Sequence, residues 1–151
     1  MKLQSLLLNN TLISNFQPLT LKMAEHNELG KLGEELAVEF LQKEGYEILE
    51  TNWTFQKAEI DIIAKSENIL AIIEVKTRSS LDFGLPQDFV KPKKIQLLVK
   101  AVNEYVISNN LDIEVRFDII AITASVQPSV SGHKSNKSFE IEHLKDAFYH
   151  F

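Results

Sequence analysis

Apolar residues recur at helical spacing from Asn27 onward: Leu29, Leu32, Leu36 and Phe40 form one stripe, and Gly45 stands where the stripe stops. A helix over 27–44 is predicted. At about 100° per residue Glu34 falls at the edge of this stripe next to Leu41, a position from which a side chain reaches a cleft between helix and sheet. Glu39 lies on the other edge, and Glu35 points further out. Beyond Gly45 the period changes. Tyr46–Trp53 reads as a strand, and Ala58 to Arg78, AEIDIIAKSENILAIIEVKTR, reads as strand, turn and strand. Its flanks IDIIA and ILAIIEV are rich in Ile and Val, and the polar run Lys65-Ser66-Glu67-Asn68 between them suits a four-residue turn.

The second half of the chain repeats the alternation of elements. Gly84 and Pro86 punctuate a loop over 79–86. A long helix follows, from Gln87 or Pro92 to Asn109, with Ile95, Leu98, Val99, Val102 and Val106 facing the core. Residues 113–123 form a strand in which Arg116 and Asp118 share a face with Ile120, an arrangement that suits a local ion pair. Five serines with Pro128 and Gly132 make 124–138 a connection into a short strand, Phe139–Glu142. His143 is expected to begin a final helical turn toward Phe148.

The hairpin carries the chemistry. If Ala64 faces Ile69 across the turn, Glu59 pairs with Glu74 and Asp61 with Ile72, so Glu59, Asp61, Glu74 and Lys76 project to one side of the sheet. A one-residue slip would part Asp61 from Glu74. Carboxylates gathered on apolar strands repel one another and call for a compensating charge, which a divalent cation supplies. Magnesium takes hard oxygen ligands, commonly one or two carboxylates, and leaves room for waters and a substrate phosphate. Such an ion, Mg2+ or Mn2+, would polarise a phosphoryl oxygen and lower the pKa of a water, with Lys76 beside it. The competing reading is a solvent-facing strand pair with ordinary surface charges, because D-x(12)-E-x-K alone is a loose pattern.

Charge sharpens this reading. The chain has 151 residues and a net charge of -5, which argues against a general nucleic-acid coat protein. From Lys76 to Lys100, however, six basic residues meet two acidic ones, a local excess of four that leaves nine net negative charges elsewhere. A basic strip beside an acidic pocket is what phosphate contact requires, and Arg78, Lys93, Lys94 and Gln96 are its candidate contacts. A solvated lysine-rich helix start would leave the same charge pattern.

Composition excludes other classes. With 44% hydrophobic and 25% charged residues the chain suits one domain with a sizeable core, and with no cysteine there is neither a disulfide nor a thiolate metal site. A reducing cytoplasm and no membrane association are expected. The histidines are scattered, and neither a phosphate-binding glycine loop nor a G-x-S-x-G elbow occurs, which turns the reading away from zinc sites, NTPases and serine hydrolases. Leu6-Leu7-Leu8 is too short for a secretory core and no small-residue cleavage site follows. Residues 1–22 are therefore read as a disordered or misassigned extension before the internal Met23, and 23–151 as a single domain.

Gly30-Lys31-Leu32-Gly33-Glu34-Glu35-Leu36-Ala37, then Glu44-Gly45-Tyr46, Asn52, Glu59-Ile60-Asp61, Glu74-Val75-Lys76-Thr77-Arg78, Phe83-Gly84, Lys93 and Arg116-Phe117-Asp118 follow one another along the chain. In this order the set resembles the YraN-like family of uncharacterised bacterial proteins, similar in fold to restriction endonucleases and Holliday-junction resolvases of the PD-(D/E)xK type. The resemblance runs from about Asn27 to Phe148. It implies an α/β fold, a restriction-endonuclease-like mixed sheet flanked by helices, with Asp61, Glu74 and Lys76 as the D, E and K of the motif and Glu34 as the first-helix glutamate. Ala58 departs from the pattern, where the family has glycine.

The function expected from these readings is a Mg2+- or Mn2+-dependent deoxyribonuclease that cuts phosphodiesters in DNA repair or recombination. Asp61 and Glu74 would ligate metal with Glu59, Lys76 would position water, and Glu34 would assist. A homodimer is expected by analogy with resolvases, which cut in pairs. Two alternatives stand beside it: a catalytically silent nucleic-acid-binding or scaffolding module of the same fold, and a protein-interaction domain.

Overall fold

A computed structural model describes residues 2–79, 90–127 and 136–148, with side chains over 23–79, 90–125 and 137–148. The elements are α1 (Lys2–Lys43), β1 (Glu47–Phe55), β2 (Ala58–Ser66), β3 (Ile69–Ser79), α2 (Pro92–Ser108), β4 (Glu114–Gln127) and β5 (Asn136–Leu144). The chain divides into two compact units, Met1–Leu32 and Gly33–Phe151. The first is helical from Lys2, and its Met23 and Leu32 are exposed. The expectation for residues 1–22 concerns side chains outside the described residues, and so does the loop expected over 79–86 beyond Ser79.

The second unit is a mixed sheet with strand order β1-β2-β3-β4-β5. Neighbouring strands are antiparallel except β3 and β4, which run parallel from Ile69↔Glu114 to Ser79↔Ala124 and are joined through α2. The central strands are apolar on both faces, as strands covered on both sides must be. Leu70 and Ile72 belong to a core with Leu98, Ala101, Val102 and Tyr105 of α2, while Ala71 and Ile73 belong to a second core with Ala37 and Leu41 of α1. This is the helix-flanked mixed α/β sheet that the sequence predicts.

On α1 the buried line is Gly33, Ala37 and Leu41 rather than the stripe of larger residues, and Leu36 and Phe40 are only partly buried. The reason is close approach: a Cβ built on Gly33 would lie 1.7 Å from Thr77 Oγ1 of β3, so only glycine lets the helix sit so near the sheet. Helix α1 stops as the pattern implies. Gly45 takes φ 87, its N–H reaches Gln42 O at 3.1 Å and the Tyr46 N–H reaches Leu41 O at 2.9 Å, which satisfies the last carbonyls of the helix.

The hairpin differs in register from the expected one. Ser66 pairs with Ile69, so the turn is Glu67-Asn68 alone, with Glu67 at φ 53. Two-residue turns match the twist of the flanking strands at the expense of a positive φ, and that preference overrides the longer polar run. Asp61–Ile72 and Glu59–Glu74 are therefore not pairs: Ile72 faces Ile63, and Glu59 faces Thr54 of β1. The shift amounts to two residues along the partner strand, so the alternation of faces survives along the paired residues, but on β2 it breaks at Asp61, where Ile60 belongs to the core under α2 and Ile62 to the core under α1.

At the C-terminal end, His143 lies inside β5 opposite Ile120 instead of starting a helical turn. A polar contact holds it there. His143 Nε2 is 2.8 Å from Oδ2 of Asp118, which is fully buried. Arg116 donates to both oxygens of Asp118 at 2.8 Å and to the Tyr46 hydroxyl at 2.9 Å, and the Asp146 N–H donates to Asp118 at 2.9 Å. The ion pair expected between Arg116 and Asp118 is thus one part of a larger network.

Candidate functional site

Beyond Ile62↔Ile73 the β2–β3 ladder stops, and the strands separate at Asp61. The carboxylate replaces the missing rung: Val75 N–H donates to Asp61 Oδ2 at 2.7 Å. One residue earlier on β3, Glu74 is only 4% exposed. A carboxylate there keeps its charge only if it is paired. Two ammonium groups serve, both on Oε1: Lys76 Nζ at 2.6 Å and Lys94 Nζ at 2.5 Å.

The acids gather around Asp61. Burial first, then the charge of Glu74, pushes the Asp61 carboxyl up to about 6; the Val75 amide and Lys94 pull the other way, and Glu34 adds a smaller upward push. Asp61 therefore senses carboxylates from α1 and β3. Glu34 is held in turn by Asn52 Nδ2 at 3.2 Å, from a β1 residue with φ 50, a conformation that asparagine tolerates.

Glu59 stands apart. It is exposed on β2 and joins Asp61 in lining a cavity of about 250 Å³ whose other walls are Lys57, Ala58, Lys94, Leu97 and Leu98. Of the residues read as phosphate contacts, Lys93 and Gln96 are exposed on α2, Arg78 is partly buried near the end of β3 opposite Thr123, and Lys94 turns inward to Glu74. Asp61, Glu74, Lys76 and Lys94 thus come together with Glu34 at their edge, while Glu59, Lys93 and Gln96 face outward.

Among the described residues no group of three or more His, Cys, Asp or Glu side chains is placed to hold a metal ion, so Glu59 does not join Asp61 and Glu74 as a third ligand. An open site of the magnesium type needs fewer, one or two carboxylates with waters and phosphate completing the shell. Asp61 and Glu74 are two carboxylates at the opening between β2 and β3, one half-buried and one buried. Two cations converging on a single carboxylate oxygen show that this position attracts positive charge.

Sequence reasoning missed the inward turn of Lys94 and the support that Asn52 gives to Glu34. For Lys94 a signal existed, since Leu97 and Leu98 lie three and four residues further along and place Lys94 on the buried side of α2. Asn52 stands among the residues that carry the family resemblance, but its contact with Glu34 was not legible, because it depends on a positive φ in the middle of a strand.

Fold and site together define a mixed α/β sheet protein with a carboxylate–lysine cluster at the opening between two central strands. The chain belongs to the uncharacterised protein family UPF0102, the YraN family, whose model matches residues 33–122. It is 74% identical over 129 residues to a UPF0102 protein of Flavobacterium psychrophilum, covering 85% of this chain and 100% of that relative. It is also similar to a UPF0102 protein of Flavobacterium johnsoniae, at 64% identity over 133 residues with the same coverage. A third relative, from Bacteroides fragilis, is 47% identical over 127 residues, covering 84% of this chain and 97% of its own length.

Proposed function

We propose that this protein is a divalent-metal-dependent nuclease acting on DNA phosphodiesters in repair or recombination, working in the cytoplasm. The observation that carries the reading is the pairing of two inward-facing carboxylates, Asp61 and Glu74, with Lys76 at 2.6 Å from the latter. Asp61 and Glu74 would hold Mg2+ or Mn2+. When bound, such an ion supplies a Lewis acid for the phosphoryl oxygen and a more acidic water. Lys76 orients the attacking water and neutralises charge that develops on the phosphate. Glu34, steadied by Asn52, adds a further acceptor at the edge, and Glu59 lies at the cavity wall where the strand would pass. Arg78, Lys93 and Gln96 would bind backbone phosphates, and Lys94 is suited to the same task. A second copy of the chain would let both strands of a duplex be cut.

A second reading draws on one specific observation, that Glu74 is already neutralised by two lysines. In that reading the cluster is a self-sufficient ion-pair network and the protein a silent nucleic-acid-binding or scaffolding module. A cleavage screen of linear and branched DNAs with magnesium and manganese, run beside Glu74→Ala, separates the two. The nuclease reading expects metal-dependent cleavage by the wild type alone. Metal-independent binding of junction DNA without cleavage would instead establish the module.

Among the described residues no helix is long and apolar enough to cross a membrane.

A further inference from the structure

Lys94 reaches Glu74 from a different element, 20 residues along the chain, although Lys76 already sits on the same carboxylate oxygen. We propose that Lys94 is a displaceable cation: its ammonium group neutralises Glu74 while no divalent ion is bound, and passes to a nucleic-acid phosphate once such an ion takes that oxygen. This rests on the metal-dependent reading above.

Charge balance is the first reason. Glu74 already carries Lys76 and Lys94 on one oxygen, and Asp61 lies in the field of Lys94, so a divalent ion brings two extra positive charges to carboxylates that are already partnered. Repulsion from that ion would favour the departure of one ammonium group toward a new anion. Lys94 is the one free to move, since its side chain is 40% exposed against 29% for Lys76. An ammonium is a compact charge on a flexible stem, so exchanging a carboxylate for a phosphate demands little of its geometry.

The setting of Lys94 supplies the second reason. It borders the cavity that Lys57 and Leu97 also line, beside the proposed path of the strand. It also lies in the first turn of α2, where Lys91 and Lys93 flank it and no acidic residue occurs. Cations are disfavoured at that end of a helix because the helix dipole is positive there. Glu74 and Asp61 are the anions that meet this concentration of positive charge, and a phosphate would be a further one.

The test compares wild type, Lys94→Gln and Lys100→Gln, the last being an exposed lysine of α2 outside the cluster. Calcium uptake is followed by calorimetry, and the salt dependence of binding to a labelled DNA oligonucleotide is followed with and without calcium. Lys94→Gln is expected to take up calcium roughly tenfold more tightly than wild type, having lost a competing charge, while Lys100→Gln matches wild type. Without calcium, wild type and Lys94→Gln should show the same salt slope, because Lys94 is occupied by Glu74. With calcium, the wild-type slope should be steeper by about one unit, the contribution of one phosphate contact. Lys94→Gln values indistinguishable from wild type in both measurements would overturn the proposal and leave the metal-dependent reading standing. Failure of the wild type to take up calcium, magnesium or manganese would overturn both.

Discussion

Asp61 and Asp118 are both acids set in apolar surroundings, and their neighbours treat them in opposite ways. Burial opposes ionisation of Asp118 as well, but hydrogen bonds from His143, from Arg116 and from the Asp146 amide outweigh it and hold the carboxyl below its usual range. Asp61 has one amide and the field of Lys94 against burial, Glu74 and Glu34, and its carboxyl rises to about 6. The consequence for stability follows from linkage. Between about pH 4 and 6 the folded protein holds the Asp61 proton while the unfolded chain has released it, so metal-free stability should decline as pH rises through that window and stay lower above it. Asp61 is partly exposed, so after screening the decline should be about 1–2 kcal/mol. Chemical denaturation of wild type and Asp61→Asn from pH 4 to 7 checks this: the decline should be present in the first and absent from the second. Asp118 contributes stability that is lost only as pH falls below the ordinary carboxylate range, so the two effects occupy different windows. A wild type whose stability rises smoothly from pH 4 to 7 would show that Asp61 is not a strained acid.

At the scale of elements, the close contact between α1 and β3 sets how the second unit is built. Thr77 Oγ1 is buried under Gly33 and makes no hydrogen bond among the described residues. Gly33→Ala should therefore cost about 1–3 kcal/mol by overpacking, although alanine is the better helix former. Thr77→Val, which removes the unpaired hydroxyl at constant shape, should be neutral or mildly stabilising. Urea unfolding of both variants tests the contact, and a stabilised Gly33→Ala would refute it.

Much of this level was legible in the sequence. The order of helices and strands followed from periodicity, and α2 and β4 were found within a few residues of their expected ends. A shift of two residues leaves the alternation along β3 intact, so Glu74 and Lys76 share a face as expected, whereas Glu59, expected on the same face, is exposed on β2. The register itself was not legible, since turn length depends on whether Glu67 accepts a positive φ, and nothing in its side chain announces that. The strand assignment of His143 was missed for a related reason. Its partner, Asp118, lies 25 residues away, and local pattern carries no trace of such a contact.

For the molecule as a whole, every buried hydrophobic residue described lies from Ala37 onward, within the unit Gly33–Phe151. Among the described residues, the core therefore lies wholly within that unit. A chain beginning at Met23 should therefore keep the melting temperature of the full-length protein, and thermal unfolding monitored by circular dichroism would show it. A fall of more than about 4 °C, equivalent to a loss on the order of 1 kcal/mol, would mean that residues 1–22 belong to the fold.

The uneven charge of the chain fits the same picture, with basic residues concentrated between Lys76 and Lys100 around an otherwise acidic protein. Such a distribution favours local phosphate contact over general adhesion to nucleic acid. All of this depends on Asp61 and Glu74 forming a site for a divalent cation. Calorimetric titration of magnesium and manganese into wild type, Asp61→Ala, Glu74→Ala and Lys76→Ala measures that site directly. Uptake is expected for wild type, its loss in both acid variants, and largely retained uptake in Lys76→Ala together with loss of cleavage, because the role proposed for Lys76 is on the water and the phosphate. Equal uptake by wild type and the two acid variants, or no uptake by any of them, would contradict that expectation.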